Sequence, residues 1–230
     1  PRSRTARSEI LFEGCGDPAA AKEIFREKFA VMRREPIEGS PNCARNQQGP
    51  VKEETERMEV KQGKLVMGFR VEQIDSYRRA NIARIAVALF GGTANSLLFK
   101  NVREKLSLCY YCSAAYDRIS GMMMVDSGVE PANAQKAEAA ILAELKNLLE
   151  GPIAPEELEN ARLALRSGMD SVGDSLASLE NWYFGEIMRG GRVSSPQEAA
   201  ARLEAIGADH VREVLKQFTL SVSNLVTRKE

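Results

Sequence analysis

The stretch from Gly91 to Tyr111, GGTANSLLFKNVREKLSLCYY, limits what this chain can fold into more than any other. A glycine pair ends one helical pattern, and Thr93 or Asn95 can cap a second, on which Leu97, Leu98 and Val102 share a face. The period then changes around Ser107, and Leu108 to Tyr116 reads as a strand. Asp117 to Gly121, DRISG, carries turn chemistry, and Met122 to Val129 supplies the second strand of a β-hairpin. Helix pairs and hairpins of this kind break strict β-α alternation and predict an α+β fold.

The remaining elements follow from period and punctuation. Ser8 to Gly14 is rich in β formers, and Asp17-Pro18 supplies an N-cap and a first helical proline for a helix reaching about Arg33. Residues 1–34 thus read as a first β-α unit. Residues 35–62, with Pro36, Gly39, Pro41, Gly49 and Pro50, read as a long loop entering a strand near Glu54 to Val60. Residues 63–230 form the main body. It begins with an apolar strand, Leu65 to Glu72, and a helix capped by Asp75-Ser76 that carries Ile82, Ile85, Ala86 and Leu89 on one stripe. Asn133 to Leu149 is amphipathic, with Ala137, Ile141, Leu145 and Leu148 facing a sheet. A long helical stretch spans Glu156 to Met188, with Gly168 and Gly173 as kink points. Short helices at Pro196 to Ile206 and Asp209 to Gln217 precede a last strand, Phe218 to Val226. The expected architecture is an antiparallel or mixed sheet of about five to six strands, covered by helices on one side. The first β-α unit alone is too short to bury a core, so residues 1–230 are expected to form one domain.

Charge and composition narrow the function. Lys plus Arg and Asp plus Glu are each 32, and no long run of one sign steers the chain to nucleic acid or an anionic membrane. No window approaches the roughly 20 apolar residues of a membrane span, so a cytoplasmic protein is expected. The chain starts at Pro1 rather than Met, which keeps a missing partner region in view. Cys15, Cys43, Cys109 and Cys112 are too few for a disulfide framework. Cys109 and Cys112 match C-x-x-C, but a regular strand sends positions an odd number apart to opposite faces, which favours packing over redox or metal chemistry. His210, the single histidine, opens a late helix in GADHVRE and reads as a cap or exposed residue rather than a metal ligand. No G-x-S-x-G, Walker or dinucleotide fingerprint occurs. Arg103 and Tyr110 remain as site candidates. Residue type leaves each of them two readings: a helix-end salt bridge or a cleft guanidinium, a half-buried strand aromatic or a hydroxyl donor.

The run GGTANSLLFKNVREKLSLCYYCSAAYDRISGMMMVDSGV resembles the second half-domain of the pitrilysin-type, insulinase-like zinc metallopeptidases, the inverzincins. The resemblance runs from about Val60 to the C-terminus, and the preceding β-α unit and loop fit the start of such a half-domain with its ferredoxin-like elements. It implies a zinc site on an H-x-x-E-H helix in a separate N-terminal half, with a distant glutamate as third ligand; this sequence has no such motif. It also implies that Arg103 holds a substrate carbonyl or carboxylate and that the Tyr110 hydroxyl donates to the developing oxyanion. The Leu-Ser-Leu-Cys-Tyr-Tyr wording resembles the non-catalytic subunit of bacterial two-subunit members. On this resemblance the chain alone is inactive, contains no catalytic residue, and binds no metal or other cofactor, zinc being held by the partner. The implied partners are a zinc-bearing half-domain or separate catalytic subunit and a peptide substrate, with a dimer possible. Substrate is expected to add to a sheet edge, placed at the strand Leu65 to Glu72. Two other classes stay open: a structural assembly module in which Arg103 and Tyr110 do no chemistry, and a thiol-redox protein using Cys109 and Cys112.

Overall fold

Alternation along one strand organises the molecule. Leu65, Met67, Phe69 and Val71 are all at most 2% exposed and lie on one face of the strand Gly63–Val71. Burying each such side chain contributes about 1.5–3 kcal/mol. The computed structural model describes residues 10–31, 49–71, 77–117, 120–189 and 192–229. Within them the strands are β1 (Lys52–Met58), β2 (Gly63–Val71), β3 (Cys109–Asp117), β4 (Met122–Val129) and β5 (Phe218–Arg228). They form one sheet in the order β1-β5-β2-β4-β3. The β1–β5 pair is parallel and every other pair antiparallel. The expected α+β fold with a mixed sheet is therefore what the chain adopts.

Helices α1 (Pro18–Ala30), α2 (Tyr77–Val87), α3 (Ala134–Glu150), α4 (Pro155–Asp170), α5 (Leu176–Arg189), α6 (Pro196–Ala201) and α7 (Ala208–Leu215) complete the described elements, with shorter turns between them. In α2, Ile82, Ala83, Ile85 and Ala86 are buried in the same cluster as Ile141 of α3 and Val211 of α7. The expected α3 stripe is buried at Ala137, Ile141 and Leu148, while Leu145 packs at its margin.

Four expectations need correcting. The stretch from Glu156 to Met188 is two helices, not one kinked helix: a 3-10 turn at Ser171–Asp174 interrupts it, and Ser175, in extended backbone, caps the second by accepting from the Ser178 amide at 3.1 Å. The strand Leu65 to Glu72 cannot receive substrate, because β2 is paired with β4 on one side and β5 on the other. Residues 10–14 form no strand, pairing with none of the five described strands, although α1 starts where Asp17 and Pro18 predict and Asp17 accepts from the Ala19 amide at 2.9 Å. The opposite-face placement of Cys109 and Cys112 also fails, for a reason that belongs to the site. The cap Asp75-Ser76 and most of the loop at 35–62 lie outside the described residues. Among those described, no helix is long and apolar enough to cross a membrane.

Candidate functional site

The site is built where the helical segment after the glycine pair meets β3. Gly91 allows that approach: a Cβ there would lie 2.7 Å from both the backbone nitrogen and the Cβ of Ala114 on β3. The chain leaves α2 through a wide π-helical turn, Ala88–Gly92, and winds again over Leu98–Lys105. Thr93 stabilises the intervening bend, its hydroxyl accepting from the Asn95 amide at 3.3 Å. Leu98 and Val102 are fully buried, and Asn101 donates from Nδ2 to Glu144 of α3 at 2.8 Å, so the segment is held on both sides. Its exit is sharp. Ser107 takes φ +51°, a left-handed conformation that costs a residue with a Cβ energy and is kept where the surroundings fix it.

β3 then starts with an extra residue. Cys109 pairs with Val129 and Tyr111 with Gly128, so Tyr110 is bulged out of the ladder. Three consequences follow from this single insertion. The Tyr110 side chain is thrown outward and is 57% exposed. Its carbonyl, released from the ladder, accepts a hydrogen bond from Arg103 Nε at 2.8 Å. The alternation also slips by one, so that Cys109 and Cys112 are both buried rather than on opposite faces. A hydrogen bond from Cys112, aided by the charge of Arg103, holds the Cys109 thiol below the ordinary range, whereas its bond to Cys109 and burial push Cys112 up.

Arg103 is fixed at a second point by its guanidinium carbon, 4.6 Å from the centroid of the Phe99 ring, four residues earlier on the same face. Among the described residues its two terminal nitrogens donate no hydrogen bond, so the outer fork is available to a ligand. Two open clefts of about 510 and 350 Å³ flank this pair, and Arg103 and Tyr110 line both. The structure therefore brings the two sequence-predicted residues together.

Sequence reasoning missed Glu130, whose carboxylate accepts the Tyr110 hydroxyl and lines the larger cleft. The hairpin register contained the signal: pairing Cys109 with Val129 sets Glu130 beside the start of β3. That hydrogen bond, reinforced by the negative charge, raises the Tyr110 pKa above the ordinary tyrosine value, so the phenol stays protonated further into the alkaline range. Glu130→Gln should bring the titration back down toward that value. Phenolate absorbance, taken as a difference against Tyr110→Phe, checks this, and an unmoved midpoint would show that Glu130 does not govern the hydroxyl. The neighbouring Tyr111 is committed elsewhere: it lies opposite Gly128 and donates to Asp126 at 3.1 Å.

Comparison with known proteins decides the family. Residues 5–165 match the family model of the peptidase M16 inactive domain. The chain belongs to that family. A probable inactive metalloprotease of Bacillus subtilis is 29% identical over 153 residues, which cover 66% of this chain and 33% of that protein. A conserved protein from Enterococcus faecalis has the same fold at 25% identity and a TM-score of 0.80, over 93% of this chain and 50% of that one. The inactive peptidase domain of a zinc protease from Bordetella parapertussis matches at 16% identity and a TM-score of 0.62, over 73% of this chain and 94% of that domain. The chain thus spans a third to a half of the length of these longer relatives.

Among the described residues no group of three or more His, Cys, Asp or Glu side chains converges. His210 serves α7 instead, its Nδ1 accepting the Gly207 amide at 3.1 Å as a cap.

Proposed function

We propose that this M16 inactive domain is the substrate-gripping half of a two-part peptidase. The observation that carries the reading is a guanidinium anchored by Nε and by an aromatic ring, with its outer fork open beside an exposed tyrosine hydroxyl. Such a fork presents two parallel donors to a peptide carbonyl or carboxylate, and its fixed orientation lowers the entropy cost of using it. Tyr110 adds one more donor within the same cleft wall. In the free chain its hydroxyl donates to Glu130, so a bound carbonyl or developing oxyanion takes that hydrogen bond by displacing the carboxylate as acceptor. Arg103 and Tyr110 are on this reading substrate-binding residues. The zinc and its general base belong to another half-domain or subunit, and the chain alone has no hydrolytic activity.

The grip is testable without the partner. A fluorescently labelled, unstructured peptide should bind the chain by anisotropy, and Arg103→Ala should weaken that binding by about 10–100-fold, the equivalent of hydrogen bonds from a charged donor. Equal affinity of parent and variant would remove Arg103 from the site.

A further inference from the structure

The bulge at Tyr110 also brings two thiols together. Cys109 stands opposite Val129 and Cys112 opposite Ser127, so the three steps between the cysteines advance the ladder by only two positions. Two positions along a strand span about 6.6 Å, whereas three would span about 10 Å. A disulfide needs Cα atoms within roughly 4.4–6.8 Å, so the inserted residue brings the pair inside a limit that a regular strand would exceed. Both residues are buried, both are free thiols, and they hydrogen-bond to each other. Each also borders solvent space: Cys109 lines the larger cleft and Cys112 the smaller one.

We propose that Cys109 and Cys112 are a reversible redox pair whose disulfide closes across the bulge, locks Tyr110 in its outward position and so tightens the grip. Hydrogen peroxide is the oxidant. Cys109 attacks first, being the more acidic thiol, because Cys112 donates to it and the nearby charge of Arg103 favours its thiolate. Its sulfur takes one peroxide oxygen and becomes a sulfenic acid, and the other oxygen leaves as water. The Cys112 sulfur then attacks the sulfenic sulfur. The S–S bond forms as hydroxide departs, and the Cys112 proton completes a second water. Two thiols and one peroxide thus give one disulfide and two waters, and a dithiol reductant reverses the change. The consequence for binding rests on the reading of Arg103 and Tyr110 as the grip. Tyr110 lies between the two cysteines and its carbonyl accepts from Arg103 Nε at 2.8 Å, so a bridge that holds the bulge holds both residues.

The full chain carrying Cys15→Ser and Cys43→Ser, in which only this pair of thiols remains, tests the proposal. After treatment with stoichiometric hydrogen peroxide and then an alkylating agent, the tryptic peptide from Leu106 to Arg118 should be two hydrogens lighter and unalkylated. Dithiothreitol should restore two alkylatable thiols. Binding of a labelled, unstructured peptide should tighten by about 2–12-fold on oxidation, as expected when one side chain is ordered in advance, and relax on reduction. A bridge between two chains, or a sulfinic acid at Cys109 beside an intact Cys112 thiol, would overturn the proposal, as would one affinity in both redox states. If neither state binds peptide, the grip fails on its own account and the bridge is judged on exchange of the Tyr110 and Tyr111 amides. Exchange slower by about 10-fold in the oxidised chain upholds the lock, and equal rates overturn it.

Discussion

Replacing Arg103 by alanine in the assembled peptidase should lower kcat by about one to three orders of magnitude, as removal of a preorganised donor at a developing charge does. The size of the effect comes from preorganisation rather than charge alone. Nε is spent on the Tyr110 carbonyl at 2.8 Å and the guanidinium rests over Phe99, so the fork needs little reorganisation when substrate arrives. On the proposed reading, loss of that side chain removes a substrate contact, and it also removes the tie that holds the Tyr110 bulge. Arg103→Lys should recover little, because an ammonium cannot both bond the carbonyl through Nε and offer a planar pair. Steady-state kinetics at matched complex concentration measures this. A kcat within twofold of the parent would favour the assembly-module reading.

Gly91→Ala should be strongly destabilising. The new Cβ would sit 2.7 Å from the Ala114 nitrogen, the Ala114 Cβ and Leu98 Cδ1, and two of these three atoms belong to a strand that cannot move alone. Overpacking of this kind costs about 1–3 kcal/mol. For a domain of this size that is a fall in Tm of roughly 2–12 °C, measurable by circular dichroism. Relief by moving the helical segment off β3 would also pull Arg103 from Tyr110, so peptide binding should fall with stability. Gly168→Ala is the control: it lies inside α4 with nothing within 4 Å of its Cβ position, and should be neutral or stabilising by about 0.5–1 kcal/mol.

These two residues also mark how far the sequence could be read. Periods and caps gave β2, the β3–β4 hairpin and α3 to within a few residues, because those elements are specified by local patterning. The pair Arg103 and Tyr110 was visible through the family resemblance, and Phe99 stands at the i−4 spacing where a helical partner is expected. The bulge at Tyr110 was not legible. Nothing local distinguishes Cys-Tyr-Tyr-Cys in a regular strand from the same residues around an inserted one, and the choice is made by β4 and by Arg103 claiming a carbonyl. The same limit explains the cysteine faces, since one extra residue reverses every side chain that follows. Gly91 was read as a helix breaker, while its requirement for close approach to β3 depends on a strand more than twenty positions away. The central position of β2 depends likewise on β5, at the far end of the chain.

The most direct test of the composite-site account is the turnover of the assembled peptidase carrying Tyr110→Phe, which removes one oxygen and leaves the ring. The account predicts kcat lower by about 10–1,000-fold with assembly intact and KM little changed, the pattern of a donor used chiefly in the transition state. A kcat equal to that of the parent, in a complex of normal composition, would contradict it.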